Sequence, residues 1–405
     1  HAKKGGKNMN RPCISIDVSK GSSHVCGFTG YKEKFDSVFE IKHDKDGLEK
    51  LDKLYDELNS EERPIFIFES TGIYHRPLRF YLEKKKYPYV ECSPLLAAKH
   101  RKNASIRSAK TDSRDTRALA NLYYEVGLKE SNQNLEVYYE LKQLDRYYVS
   151  LTDYLIKSKV HCNEKLDVIF PNFRKEVSGN IYKNYYLELL LNYSHPDILS
   201  KTRIDAIENL LIKNGIQKSR SKNHALKIKE FSKNCFPGTM INSIDVMIFK
   251  DQLKDVMMYI KRREDIIEKM TSLGEVLPLY NLLLSIPGIG PVLAIRLVSE
   301  LGDLSNFSTS KQLTAYAGLD PIIYQSGNYD GKGLKISKKG NKHLRTLLYQ
   351  VVTICVYSKN DNSIKSYFEI KKQTVSTQSA YIACSDKLLR IIFGMNRTGE
   401  LYKYQ

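Results

Sequence analysis

A chain of 405 residues with 41% hydrophobic content is long enough for two or three domains with real cores, and its formal net charge of +18 makes a polyanion the first class of partner to consider. Seven scattered cysteines without CxxC spacing indicate neither a zinc centre nor a disulfide framework, and they fit a reduced, cytoplasmic setting. No apolar run approaches the roughly 18 residues of a membrane span, no signal-peptide pattern occurs, and residues 1–8 read as an expression remnant ahead of Met9.

The first domain is expected over residues 9–128. Cys13 to Val18 alternates and is β-prone; His24 to Thr29 and Lys34 to Ile41 read as two further strands of a meander. Asp46 is expected to cap a helix whose apolar face is Leu48, Leu51, Leu54, Tyr55 and Leu58. Pro64 to Phe68 is an all-apolar run, the pattern of a strand buried on both faces, and it ends at Glu69-Ser70-Thr71-Gly72. A helix from Pro77 to Lys86, a short strand Tyr89 to Cys92 and a helix opened by Pro94 follow.

Lys110-Thr111-Asp112-Ser113-Arg114-Asp115 then precedes an apolar-periodic run of Leu119, Leu122, Tyr123 and Val126. With Thr111 as N-cap, Asp112 and Asp115 fall in the first helical turn and share a face. Side by side, two carboxylates repel unless a cation or a proton intervenes. Taken alone, the pair is equally explained by the favourable interaction of acids with a helix N-terminus. Its company argues for more. Asp17 and Glu69 end predicted strands, and the flank is basic (Lys99, Arg101, Lys102, Arg107, Lys110, Arg114, Arg117). The order βββαβαβα is that of the ribonuclease H-like α/β fold. Clustered acids in a basic protein suggest Mg²⁺ (or Mn²⁺) held against a phosphodiester.

Residues 129–274 form the expected middle region. Leu135 to Leu166 and Met247 to Met270 are long helical patterns, which suggests an antiparallel coiled coil or an ordinary bundle core. Residues 171–237 read as short helices without a motif. Their Asn214 to Lys233 stretch carries Lys218, Arg220, Lys222, Lys227 and Lys229, either a solvated face or a nucleic-acid contact.

The C-terminal domain is expected over 275–405 and mainly helical. Leu284 to Ala294 reads as helix, tight turn, helix, in which Gly288 and Gly290 let the backbone approach a phosphate, as in a helix-hairpin-helix. Lys311 to Tyr316 is helical. Ser326 precedes a glycine-rich stretch (Gly327, Gly331, Gly333), and by its chemistry alone it is a turn residue. Lys332, Lys335, Lys338, Lys339, Lys342 and Arg345 follow without an intervening acid, a run suited to neutralising phosphates. Lys387 to Phe393 is an amphipathic helix expected to close the domain.

These motifs, in this order, resemble the DEDD transposases of bacterial insertion sequences, a family that also contains the pilin-gene DNA invertases. The resemblance rests on Ile16-Asp17-Val18-Ser19-Lys20, Glu69-Ser70-Thr71-Gly72 and the stretch from Lys110 to Asp115. At the other end of the chain it rests on Pro287 to Pro291, Gly318-Leu319-Asp320-Pro321, Ser326-Gly327 and Ser337 to Arg345. It implies a RuvC-like first domain whose Asp17, Glu69, Asp112 and Asp115 bind divalent metal. It also implies a helical dimerisation element in the middle and a C-terminal transposase domain in which Ser326 is the recombinase nucleophile. Lys110, Arg114, Gly288, Gly290 and the lysine run are the expected nucleic-acid contacts. Implied partners are target and donor DNA, a structured bridge RNA and further copies of the chain, from dimer to tetramer, at the bacterial nucleoid. A metal-dependent Holliday-junction-type nuclease, a DNA invertase without an RNA guide, and a non-catalytic nucleic-acid-binding protein are the alternatives. The inserted middle is where the chain departs from the family.

Overall fold

The computed structural model describes residues 10–70, 72–104, 112–131, 136–177, 180–322, 325–326, 329–330 and 335–404. It divides into two compact units, His1–Asn134 and Leu135–Gln405.

The first unit runs β1 (Cys13–Val18), β2 (Ser22–Gly30), β3 (Glu33–Lys34), β4 (Phe39–Lys42), α1 (Lys45–Leu58), β5 (Ile65–Glu69), α2 (Arg76–Lys85), β6 (Tyr89–Cys92), α3 (Pro94–Ala104) and α4 (Asp112–Val126). The sheet order is β3-β2-β1-β5-β6, with β4 also on β2. β1 is antiparallel to β2 and parallel to β5, and β5 is parallel to β6. This mixed sheet is compatible with a ribonuclease H-like domain. Ile14, Ile16, Phe66 and Phe68 pack on the side of α1 and α2, while Cys13, Ile65 and Ile67 pack against Ala120, Tyr123 and Tyr124 of α4. Both faces are therefore covered, which is why the Ile65 to Phe68 run is apolar throughout.

Two local expectations are corrected. The segment from Lys34 to Ile41 is not one strand but the separate β3 and β4. Between them the Asp36 carboxylate accepts from the Ser37 amide at 2.5 Å, a local bond that competes with the sheet ladder. Helix α1 is capped by Asp44 rather than Asp46. The Asp44 carboxylate accepts from Gly47 N at 2.8 Å, leaving Asp46 in the first turn.

The second unit is built on α5 (Glu136–Ile169) and α11 (Ile244–Gly274). Their pairing is antiparallel. Lys165 Nζ meets Asp245 at 2.6 Å, Tyr154 stacks on Tyr259, Arg263 donates to the Tyr148 hydroxyl, and Leu141 shares a core with Met270. The connection between them folds as α6 (Phe173–Glu176), α7 (Asn184–Asn192), α8 (Pro196–Lys201), α9 (Ile204–Lys213) and α10 (Lys218–Asn234). These helices cap the far end of the pair with their own core, in which Phe170, Phe173, Tyr186 and Leu211 meet Phe249 and Leu253.

The near end of the pair enters a second core with α12 (Pro278–Leu284), α13 (Pro291–Leu301), α14 (Ser310–Ala317), α15 (Lys342–Tyr357), α16 (Ser363–Lys372) and α17 (Thr377–Thr398). The short strands β7 (Gln325–Ser326) and β8 (Tyr329–Asp330) pair antiparallel. Among the described residues, no helix is long and apolar enough to cross a membrane.

A buried ionic clamp joins the pair to this body. Arg296 Nε donates to Asp145 Oδ1 at 2.6 Å, and Arg146 Nη2 donates to Glu300 Oε2 at 3.0 Å; both carboxylates are fully buried. Arg263 and Arg296 sandwich the Tyr148 ring, each 4.7 Å from its centroid. Removing one partner of such a pair leaves a buried charge uncompensated. Arg296→Met is therefore expected to cost about 3–5 kcal/mol of unit stability, and the double variant Arg296→Met/Asp145→Leu to recover most of it, as read by urea unfolding.

Burial raises the Glu300 carboxyl above its ordinary pKa. The folded state thus binds that proton more tightly than the unfolded chain. Stability from this group is greatest below the unfolded carboxyl value of about 4.3 and falls as pH rises through the folded value. Thermal melts of Glu300→Gln should show a flatter decline over that window than the parent.

Candidate active site

The N-terminal acids sit where strand ends meet a helix start. In the parallel register, Ile16 lies opposite Phe68. Asp17 and Glu69, each one residue further on, therefore occupy adjacent positions at the carboxyl ends of β1 and β5. Side chains alternate along a strand, so both share the face of Ser15 and Ile67, which is the face covered by α4.

Two bonds fix the direction of α4 across that face. The Ser15 hydroxyl donates to the Thr116 carbonyl at 2.6 Å, and the Tyr124 hydroxyl donates to the Arg11 carbonyl at 2.9 Å. From Thr116 to Tyr124 a helix rises about 12 Å, and from Ser15 back to Arg11 a strand spans about 13 Å. The helix is thus antiparallel to β1, and its first turn points to the end of β1 that carries Asp17. Asp115, the residue before Thr116, is buried there, and Asp112 opens α4 one turn earlier. The side chain of Asp112 lies outside the described residues, as do Thr111 and Lys110. Arg114 is exposed.

Glu69 has a partner that the motif reading passed over. Arg101 of α3 donates from Nη1 to Glu69 Oε2 at 2.9 Å. The only sign of it in the sequence is the basic run around Lys99 and Lys102. Beside Glu69, burial foremost and then the carboxylate charge push the Cys92 thiol up to about 12, so it stays protonated. Among the described residues no group of three or more His, Cys, Asp or Glu side chains lies close enough together to hold a metal ion. Asp17, Glu69 and Asp115 are oxygen donors, the class of ligand that a hard cation takes.

In the C-terminal unit, Ser326 lies in β7 with its backbone paired to Tyr329; its side chain lies outside the described residues. The segments on either side are drawn together. Ser337 N donates to Asp320 O at 2.8 Å, the Ser337 hydroxyl donates to Asp320 Oδ1 at 2.7 Å, and Lys338 N donates to Gly318 O at 3.1 Å. Gly318 has φ +67°, and a Cβ on Gly340 would lie 2.3 Å from Tyr316 O, so both positions need glycine.

The closing residue is Asn341, the N-cap of α15. Its side-chain oxygen accepts from His343 N and Leu344 N, and its Nδ2 donates to Glu300 Oε2 at 2.6 Å. The base of the serine-bearing segment is therefore fastened to the ionic clamp. Glu300 does not stand out in the sequence, because its partners Arg146 and Asn341 are remote in the chain.

Of the expected phosphate contacts, Lys335, Lys338, Lys339 and Lys342 are exposed, whereas Lys332 lies outside the described residues. Arg345 is half-buried and donates to the Ala317 carbonyl at 2.9 Å, so that part of its guanidinium serves the fold. The Pro287 to Pro291 turn connects α12 to α13. Gly288 has φ +88°, and a Cβ there would lie 2.8 Å from Ile354, so packing alone accounts for that glycine. Gly290, the N-cap of α13, is exposed with open space where a Cβ would stand.

Comparison with known proteins was informative for both units. Residues 14–171 match a family model described as Transposase, of the DEDD IS110 type, and residues 280–369 match one described as Transposase IS116/IS110/IS902 family. The helices α6–α10 fall outside both. The transposase for insertion sequence element IS1328 of Yersinia enterocolitica is 34% identical over 124 residues, 30% of this chain and 36% of that protein. The transposase for insertion sequence element IS1111A of Coxiella burnetii is 34% identical over 121 residues, 29% of this chain and 33% of its own length. A pilin gene-inverting protein of Moraxella bovis is 32% identical over 117 residues, 29% and 36% respectively. The matched stretch thus spans 33% to 36% of these curated relatives.

The close backbone approach at Gly340 makes a specific forecast. Gly340→Ala forces its neighbours apart while leaving the helical core intact. Hydrogen exchange at the amides of Ile322, Ser337 and Lys338 should speed up at least tenfold, with amides of α15 and α17 unchanged.

Proposed function

We propose that this chain, which belongs to the IS110/IS116 transposase family through both matched segments, is a DNA transposase that cuts and rejoins strands at the ends of an insertion sequence. The observation that carries this reading is the convergence of Asp17, Glu69 and the start of α4 at one end of a mixed sheet, in a chain that also bears the family's C-terminal domain. The four acids Asp17, Glu69, Asp112 and Asp115 would hold a divalent cation, Mg²⁺ or Mn²⁺, which when bound supplies electrostatic polarisation of a scissile phosphate.

The chain's own residues do the rest. The Ser326 hydroxyl attacks phosphorus, a phosphoserine ester forms, one P–O bond of the strand breaks, and the released deoxyribose hydroxyl takes up the proton. Attack by the hydroxyl of a second strand reverses these steps and frees Ser326, so the bond is conserved without external energy. Arg101 fixes the Glu69 carboxylate in place. Lys335, Lys338, Lys339 and Lys342 neutralise backbone phosphates next to the serine segment. The turn before α13, with Gly290 open, meets backbone phosphate in the manner of a helix-hairpin-helix. The α5/α11 pair, as a coiled coil, would join copies of the chain. A structured RNA encoded by the element would supply sequence choice by base pairing, leaving the protein to read shape and backbone.

A second reading has the acids as the sole catalytic groups and Ser326 as a turn residue. The all-oxygen donor set favours it, because it is sufficient for metal-assisted hydrolysis. One experiment separates the two. Purified chain, with RNA transcribed from its own locus, is incubated with DNA carrying the element's ends and Mg²⁺, then denatured and run on a gel. A protein–DNA adduct that disappears in Ser326→Ala and falls at least a hundredfold in Asp17→Asn supports the serine mechanism. Free cut ends that survive Ser326→Ala would transfer the chemistry to the acids alone. Omitting the RNA tests the guide, since a guided enzyme forms no adduct without it.

A further inference from the structure

The cap carries a charged surface that the transposition chemistry does not use. Helix α10 buries Ser221, Ala225, Ile228 and Ser232, half-buries His224, Lys229 and Phe231, and leaves most of its other side chains to solvent. Lys218, Lys222 and Lys233 are exposed and, with Lys229, follow the spacing of a single helix face; Arg220 and Lys227 are exposed on the opposite flank. Lys229 is committed inward, donating to the Thr202 carbonyl at 2.6 Å. Among the described residues the other five cations form no ion pair.

Two carboxylates on or beside α10 are engaged by neutral donors rather than by its cations. Glu208 accepts from the Ser221 hydroxyl, and Glu230 accepts from Asn234. The local field is felt by His224, whose pKa is lowered by burial first and then by Lys227, Arg220 and Lys183. From Lys218 to Lys233 the stripe runs about 22 Å. A duplex carries one charge per about 1.7 Å of its axis, so a stripe of that length faces several phosphates at once.

We propose that the exposed cation stripe of α10 is a docking surface for the sugar-phosphate backbone of duplex DNA. The stripe makes sequence-independent contacts with that backbone. This rests on the reading of the chain as a nucleic-acid enzyme, and it adds a contact made by the cap helices that neither family match covers.

The test compares the full-length chain with Lys218→Gln/Lys222→Gln/Lys233→Gln. Fluorescence anisotropy gives affinity for a duplex DNA and a duplex RNA of equal length across a series of KCl concentrations. Each phosphate contact contributes about 0.9 to the slope of log affinity against log salt. The triple variant should therefore lose about 2 to 3 from the slope for the DNA duplex, and a loss confined to the RNA duplex overturns the assignment to DNA. An unchanged slope on both duplexes overturns the proposal and marks the stripe as a solvated face. If the parent binds neither duplex, the functional reading falls as well. A second measurement does not depend on the variant folding: amine-reactive labelling of the parent should show Lys218, Lys222 and Lys233 protected by the bound duplex, and equal labelling with and without duplex counts against the docking surface.

Discussion

The second unit depends on the burial of charge at one junction. Asp145 and Arg146 of α5 meet Arg296 and Glu300 of α13, and Asn341 at the start of α15 closes the group. Burying ions is costly unless every partner is in place. A slip of α5 by one turn would strand two carboxylates away from their guanidinium groups. The clamp therefore selects one register of the long helices against the body, a discrimination that interchangeable apolar side chains cannot supply. Because Asn341 also caps α15, the same selection fixes the base of the segment that carries Ser326.

The first unit solves its positioning problem with fewer charges. Parallel pairing of β1 and β5 brings Asp17 and Glu69 to one end of the sheet, and the bonds from Ser15 to the Thr116 carbonyl and from Tyr124 to the Arg11 carbonyl set how far α4 slides along that face. The acids themselves sit at element ends, where the sheet and helix impose little further demand on them. That arrangement holds the candidate acids on rigid supports, with Glu69 paired to Arg101 and Asp115 buried.

Much of this was legible in the chain because it depends on local periodicity. Alternation identified β1, the apolar run identified β5, and the i, i+3 spacing put Asp112 and Asp115 at a helix start. What sequence reading missed depends on partners far away. Arg146 and Glu300 are 154 residues apart, and nothing near either residue announces the other. Arg345 looked like one more phosphate contact until Ala317 supplied its acceptor. The break between β3 and β4 turns on one Asp36 side chain competing with the ladder, a choice that composition does not reveal.

The antiparallel pair of α5 and α11 also determines a length. Leu141 belongs to the body's core and Ile169 to the cap's, and the helix between them rises about 42 Å. That exceeds one turn of a DNA duplex, about 34 Å. The cap is an addition at the tip of a ruler, where extra chain folds on its own core and leaves the clamp undisturbed. Adding one heptad to both helices would carry the cap about 10 Å further out while turning it by only about 20°. Relatives built on the same pair can thus differ in the spacing of their outer surfaces by whole steps, each step leaving the two end cores intact.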